Sequence, residues 1–202
     1  YPCHLPNERR WFMVTVTRFH GEGLLRIVVA HENITARKES RENLTLLYEI
    51  GKKLNSTLVG DVEQLYKILH DHVAIHLFNA PHFVIAKYDE ASQTIMCEYA
   101  IVDHEMMDAP LFPPQELGFG PISEAIEQQR IIIKNPLMEI EKPEVKERHV
   151  LIGDERVPQS GVYIPLITGE KIYGIMTMQH YSPKVFLEKD IPLLTTIAGQ
   201  AA

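Results

Sequence analysis

The sequence predicts an α+β fold built on a mostly antiparallel sheet. Three observations carry this. Short aromatic, β-branched or apolar segments recur in pairs joined by turns, as in hairpins, with partial alternation in the first. These pairs do not alternate regularly with helices, which suggests a mostly antiparallel sheet rather than a βαβ one. Apolar stripes of helical period separate and flank them. Composition agrees with a folded chain: of 202 residues, 45% are hydrophobic and 23% charged.

The elements follow in chain order. Residues 10–19, aromatic and β-branched, predict a strand. His20-Gly21-Glu22-Gly23 is a turn, and Leu24–His31 a second strand. Such a hairpin is not stable alone in water. From Ala36 the period changes. Leu44, Leu47, Gly51, Leu54 and Leu58 recur at steps of three and four, a heptad seam over residues 40–58. Two readings stay open there: an amphipathic helix packed on its own domain, or a self-associating one. Asp61 with Gln64 predicts a helix start. Val62, Leu65, Leu69, Val73 and Leu77 form its core stripe, on which His76 also falls, and Ala80-Pro81 stops it.

Residues 82–89 and 93–100 read as a hairpin, and 101–117, with Pro110, Pro113 and Pro114, as irregular chain. A helix is expected at 121–129 and a buried strand at Ile131-Ile132-Ile133. Residues 135–157 form a long charged connection with one short helix near 143–150; a connection of this length is usually functional. Residues 160–167 and 171–180 form the last hairpin. A final helix starts near Leu187 or Glu188, its stripe of Leu187, Ile191, Leu194, Ala198 and Ala201 again heptad-spaced.

Charge and composition exclude several classes. Lys and Arg number 20 against 27 Asp and Glu, a net charge of −7, which disfavours a nucleic-acid partner. No apolar run approaches a membrane span, and residues 1–20 lack a signal peptide's apolar segment, so a cytoplasmic setting without membrane contact is expected. Without a secretory signal, the sequons at Asn33, Asn43 and Asn55 are read as accidental. Two cysteines, Cys3 and Cys97, exclude a disulfide framework and a Cys-rich zinc site. The absence of an initiator Met and the apolar helical end at Ala201-Ala202 suggest a fragment of a longer protein.

Two stretches resemble signalling modules. Arg10-Trp11-Phe12, Val28-Val29 and Asn33-Ile34-Thr35-Ala36-Arg37-Lys38 resemble the C-terminal end of a PAS domain. Asn33 stands where PAS domains often carry Asp, keeping an acceptor without the charge. The run Leu117-Gly118-Phe119-Gly120, then Asn135-Pro136, Ser160 to Leu166, Gly174 to Gln179 and Phe186 to Asp190 resembles a GAF domain. The implied organisation is a PAS end at 1–38, a connecting helix at 39–58 and a GAF domain at 59–202. This combination resembles bacterial sensor proteins, most often histidine kinases of two-component systems and sometimes cyclic-dinucleotide enzymes.

The resemblance implies a sensory, non-catalytic module. Its pocket for a small molecule would have Phe119 and Ile122 at the edge and Phe83, Ile85, Tyr163, Met176 and Met178 as floor, plain core packing being the competing reading at each. No cofactor is identifiable, and no catalytic or metal set is visible. It also implies a homodimer through the 40–58 and 187–202 helices. The alternatives are a ligand-free dimerisation or spacer module, and the regulatory domain of a cyclic-nucleotide or cyclic-dinucleotide enzyme.

Other resemblances are partial. Pro2-Cys3-His4 resembles a bilin-attachment run but precedes the PAS-like strand. Phe186 and Asp190 match a cyclic-nucleotide motif whose other positions hold His180-Tyr181 and Ile191, leaving a core Phe186 and a helix-flanking Asp190 as the simpler reading. His72 and His76 have i, i+4 metal spacing without a third ligand in sequence. Methionine sulfoxide-reducing GAF proteins use a cysteine set that two distant cysteines do not supply.

Overall fold

A computed structural model describes residues 1–3, 10–19, 26–56, 61–108, 111–118, 120–135 and 156–202. The chain divides into two compact units, Tyr1–Glu49 and Ile50–Ala202.

In the first unit, β1 (Phe12–Phe19) and β2 (Arg26–Asn33) form an antiparallel ribbon running from Phe12↔Asn33 to Phe19↔Arg26. Relative to the sequence reading, β2 ends two residues later. Tyr1 extends the other edge of β1 through its amine, which donates to the Phe12 carbonyl at 2.7 Å. The ribbon passes into α1 (Thr35–Ser56) through a side-chain knot. Asn33 Oδ1 accepts from Thr35 N at 3.0 Å and from Thr35 Oγ1 at 2.6 Å, and Thr35 Oγ1 accepts from Trp11 N at 2.9 Å. An amide oxygen therefore suffices at Asn33, because the donors are neutral.

Burial on α1 departs from the heptad line. Leu46 and Ile50 are the buried residues, whereas Leu44 is 67% and Tyr48 70% exposed. Leu54 and Leu58 lie outside what is described of side chains there.

The second unit is a seven-stranded, wholly antiparallel sheet of order β5-β4-β3-β9-β8-β7, with β6 also paired to β4. Its strands are β3 (His82–Asp89), β4 (Thr94–Val102), β5 (Glu105–Met107), β6 (Gln115–Glu116), β7 (Ile132–Lys134), β8 (Ser160–Thr168) and β9 (Lys171–His180). The stretch read as irregular, 101–117, thus contains the end of β4, all of β5 and all of β6. Asp103 and His104, both with positive φ (53° and 66°), make the tight β4–β5 turn. Neither is glycine, so the usual Asn-Gly hairpin signal is missing. The short helix expected near 143–150 lies outside the described residues.

α2 (Val62–Leu69) is capped by Asp61, whose Oδ1 accepts from Gln64 N at 3.1 Å. It continues through a π-helical turn, His70–Ile75, into α3 (His76–Phe78), which Asn79 ends in the left-handed conformation. The π turn widens the repeat. Its buried residues are Val73 and Ala74, and His76 is exposed rather than in the core stripe. α4 (Pro121–Gln128) starts from Gly120, whose φ of 92° suits glycine. α5 (Ile191–Ala201) follows a 3-10 turn at Glu188–Asp190, with Pro192 tolerated in its first turn. Asp190 Oδ2 accepts from Leu187 N at 2.9 Å, and Phe186 is fully buried with its ring 5.1 Å from Phe78. Both residues thus serve packing and capping.

Gly174 permits the centre of the sheet to close. It faces Lys87 across β3–β9, and a Cβ there would lie 2.2 Å from the Ala86 carbonyl oxygen.

Candidate functional site

Register assigns each strand residue to a face, since directly paired residues share one. Phe83, Ile85, Met176 and Met178 pair in series across β3 and β9, so they lie together. His70, in the π turn, packs its ring 5.6 Å from Phe83, which puts this group under the α2 side. Tyr163 pairs with Thr177 and Ile132, and Ala86 with Ile175. These lie on the opposite face, where α4 packs through Ala125 and Ile126.

The seven residues read from the sequence are therefore split. Tyr163 and Ile122 share the α4 side, Ile122 packing against the same apolar cluster. Phe83, Ile85, Met176 and Met178 are at most 2% exposed on the other side. Phe119 lies outside the described residues. Uniform apolarity along β3 and β9 concealed the parity: both faces of this sheet are covered, so hydrophobicity does not distinguish them.

The α4 side changes character along its length. Toward α4 it is apolar, with Ala86, Ile95, Ile126, Ile132 and Ile175 buried. Toward the start of β3 it becomes polar. Thr177 is buried, and Gln179 Nε2 donates to the Tyr163 hydroxyl at 3.2 Å. His82, paired with Gln179, is 9% exposed. Its Nε2 has no hydrogen-bond partner among the described residues and lies 3.9 Å from Asp103 Oδ1. Tyr181 sets its ring 5.0 Å from that of His82, edge-on, and donates its hydroxyl to Asp103 Oδ1. Arg156 caps the other side of Tyr181, its guanidinium 4.1 Å from the ring centre.

Electrostatics follow from this packing. Burial lowers the His82 pKa below the ordinary histidine value; Asp103 opposes this, while His104, Arg156 and His180 add to it. His180 is lowered too, by burial and then by His104. At neutral pH both rings are uncharged hydrogen-bonding groups. No motif marked His82, Asp103, Arg156 or Tyr181, because they converge from the start of β3, the β4–β5 turn, the approach to β8 and the end of β9.

Other flagged groups sit apart. His72 Nε2 lies 2.6 Å from Lys53 Nζ, and no cluster of three or more metal-binding side chains occurs among the described residues. Cys97 is half-buried on β4, and burial pushes its thiol pKa up, away from the reactive thiolate.

An antiparallel sheet of this order, covered by α2 on one side and α4 on the other, can be compared with known proteins. A family model for the GAF domain matches residues 60–202. The chain belongs to the GAF domain family. The GAF fold is shared with solved structures of low sequence identity. One is the GAF domain of a phosphoenolpyruvate-protein phosphotransferase from Coxiella burnetii (TM-score 0.61, 17% identity, covering 79% of this chain and 89% of that one). Another is free methionine-R-sulfoxide reductase from Neisseria meningitidis in complex with its substrate (0.59, 14%, 79% and 85%). A third is a methyl-accepting chemotaxis protein (0.55, 12%, 75% and 92%). No curated protein matches this sequence. No helix among the described residues is long and apolar enough to cross a membrane.

Proposed function

We propose that this chain is a sensory and regulatory GAF module, without catalysis of its own, that binds a small molecule on the α4 side of its sheet. The observation that carries the reading is His82 Nε2, a buried polar atom without a described partner at the polar end of an otherwise apolar surface. Ligand sites combine such surfaces with a few fixed polar groups. Tyr163 and Ile122 supply apolar contact; His82 and Arg156 supply orientation. Similarity of fold to a chemotaxis protein supports a signalling role. The reductases share that fold, but the high thiol pKa of Cys97 speaks against cysteine chemistry there.

In the full reading, residues 1–38 are the end of a PAS domain, and the protein is cytoplasmic. The module dimerises through the 40–58 and 187–202 helices, which relay the signal to an output domain such as a histidine kinase. The outward Leu44 and Tyr48 on α1 support an association surface. Native mass spectrometry of the purified 202-residue chain tests both parts. A dimer carrying a non-covalent small molecule that His82→Gln no longer retains is the expected result. A ligand-free monomer at every concentration overturns the proposal.

A further inference from the structure

The polar end of the α4 side also touches the chain that leads to α5. Two consecutive residues there, Tyr181 and Ser182, are each held by a contact at or beside a histidine ring. Tyr181 donates to Asp103 Oδ1, the carboxylate oxygen that faces His82 Nε2 across 3.9 Å. Ser182 N donates to His180 Nδ1 at 2.8 Å. A backbone N–H only donates, so Nδ1 of His180 is the acceptor and its proton sits on Nε2. Beyond them the connection is pinned at two more points. Ser160 Oγ donates to Ser182 O at 2.8 Å, and Asn135 Nδ2 donates to Phe186 O at 2.6 Å. Phe186 then leads directly into the Leu187–Asp190 turn that starts α5.

We propose that His82 and His180 form a proton-operated clamp on Tyr181-Ser182, through which acidification loosens the approach to α5. Proton uptake acts at two atoms. On His180 it converts Nδ1 from acceptor to donor, which removes the partner of Ser182 N and opposes two donors. On His82 it places a positive charge beside Asp103, and the new ion pair competes with Tyr181 for Oδ1. Among the described residues, the titratable and charged groups facing His82 are Asp103 and His104 from the β4–β5 turn, Arg156 from the approach to β8, and His180 at the end of β9; of these Asp103 is the anion. Arg156, stacked on Tyr181, is repelled by the same charge. The clamp is closed while both rings are neutral and opens when they ionise. Both rings resist ionisation through burial, so the opening falls on the acid side of the ordinary histidine range.

The clamp deepens the sensory reading by adding a proton input, but its test needs no ligand. Histidine ring carbon and backbone amide shifts of the 202-residue chain are followed by NMR from pH 7.5 downward. The expected result is that the His82 and His180 rings titrate below the ordinary histidine value, with the amides of Tyr181, Ser182 and the first turn of α5 following the same midpoints. Asp103→Asn shifts the His82 midpoint further down by removing the carboxylate that raises it. Arg156→Gln, a change at an exposed residue, shifts it up and leaves the fold intact. His82→Gln removes part of the amide response and His82→Gln with His180→Gln removes it all. Rings that titrate at the ordinary value, or α5 amides that ignore the ring titrations, overturn the clamp. A ligand-free native mass spectrum would overturn the binding proposal and leave this one standing.

Discussion

Replacing Gly174 by alanine should be among the most damaging single-methyl changes in this GAF domain. The added Cβ would lie 2.2 Å from the Ala86 carbonyl oxygen and 3.2 Å from both Ala86 C and Lys87 Cα. A relaxed carbon–oxygen contact is about 3.3–3.6 Å, so β3 and β9 must part locally by roughly 1 Å. The obstacle is backbone on a central strand pair and cannot rotate away. Overpacking of this kind costs about 1–3 kcal/mol, and weakening one or two ladder hydrogen bonds adds about 1 kcal/mol each. The sum is about 3 kcal/mol, equivalent to a fall in Tm of roughly 9 °C for a chain of this size. Urea unfolding followed by circular dichroism should show a lower midpoint with an unchanged slope, which marks a stability change rather than a change in the denatured state. Gly174→Ala unfolding within about 0.5 kcal/mol of the parent would refute the close β3–β9 approach.

Gly199→Ala is the matched control: nothing lies within 4 Å of its Cβ, and alanine in exposed helix should stabilise by about 0.5–1 kcal/mol in the same assay. Phe186→Ala, which empties a fully buried ring site beside Phe78, should cost about 3–5 kcal/mol and lower Tm accordingly. The lowered His82 pKa makes stability pH-dependent with a definite sign. Above the ordinary value of 6.5 the ring is neutral in both folded and unfolded chains, and its contribution is flat. As pH falls below 6.5 the unfolded chain takes up protons first, so stability drops until the folded ring has also ionised. His82→Gln should flatten that part of a Tm-against-pH curve, and an unchanged curve would show that His82 is not the buried neutral group described here.

The class of fold was legible because strand-length apolar runs paired across turn residues are a local property of the chain. So were the Asp61 cap, the Pro81 stop and the strands at 82–89, 160–167 and 171–180. The order of GAF-like segments made the family readable although no single motif is specific. The β4–β5 turn was not readable, because Asp103 and His104 adopt positive φ without glycine under the demands of strand pairing. His76 was misplaced because the π turn at His70–Ile75 changes the helical repeat. On α1, heptad spacing marks Leu44 and Leu47, whereas the buried residues described there are Leu46 and Ile50.

What the sequence by itself determined is the kind of surface this protein builds: a doubly covered antiparallel sheet in an acidic chain of low cysteine content. What only the tertiary structure decided is which residues share a face. Tyr163 parts from Phe83, Ile85, Met176 and Met178 because register, a non-local property, sets side-chain direction. The same register, with one tight turn, gathers His82, Asp103, Arg156, His180 and Tyr181 from four distant segments. The lowered pKa values of His82 and His180 arise first from burial, which no linear reading contains, because desolvation is a property of the packed interior and not of the residues taken singly.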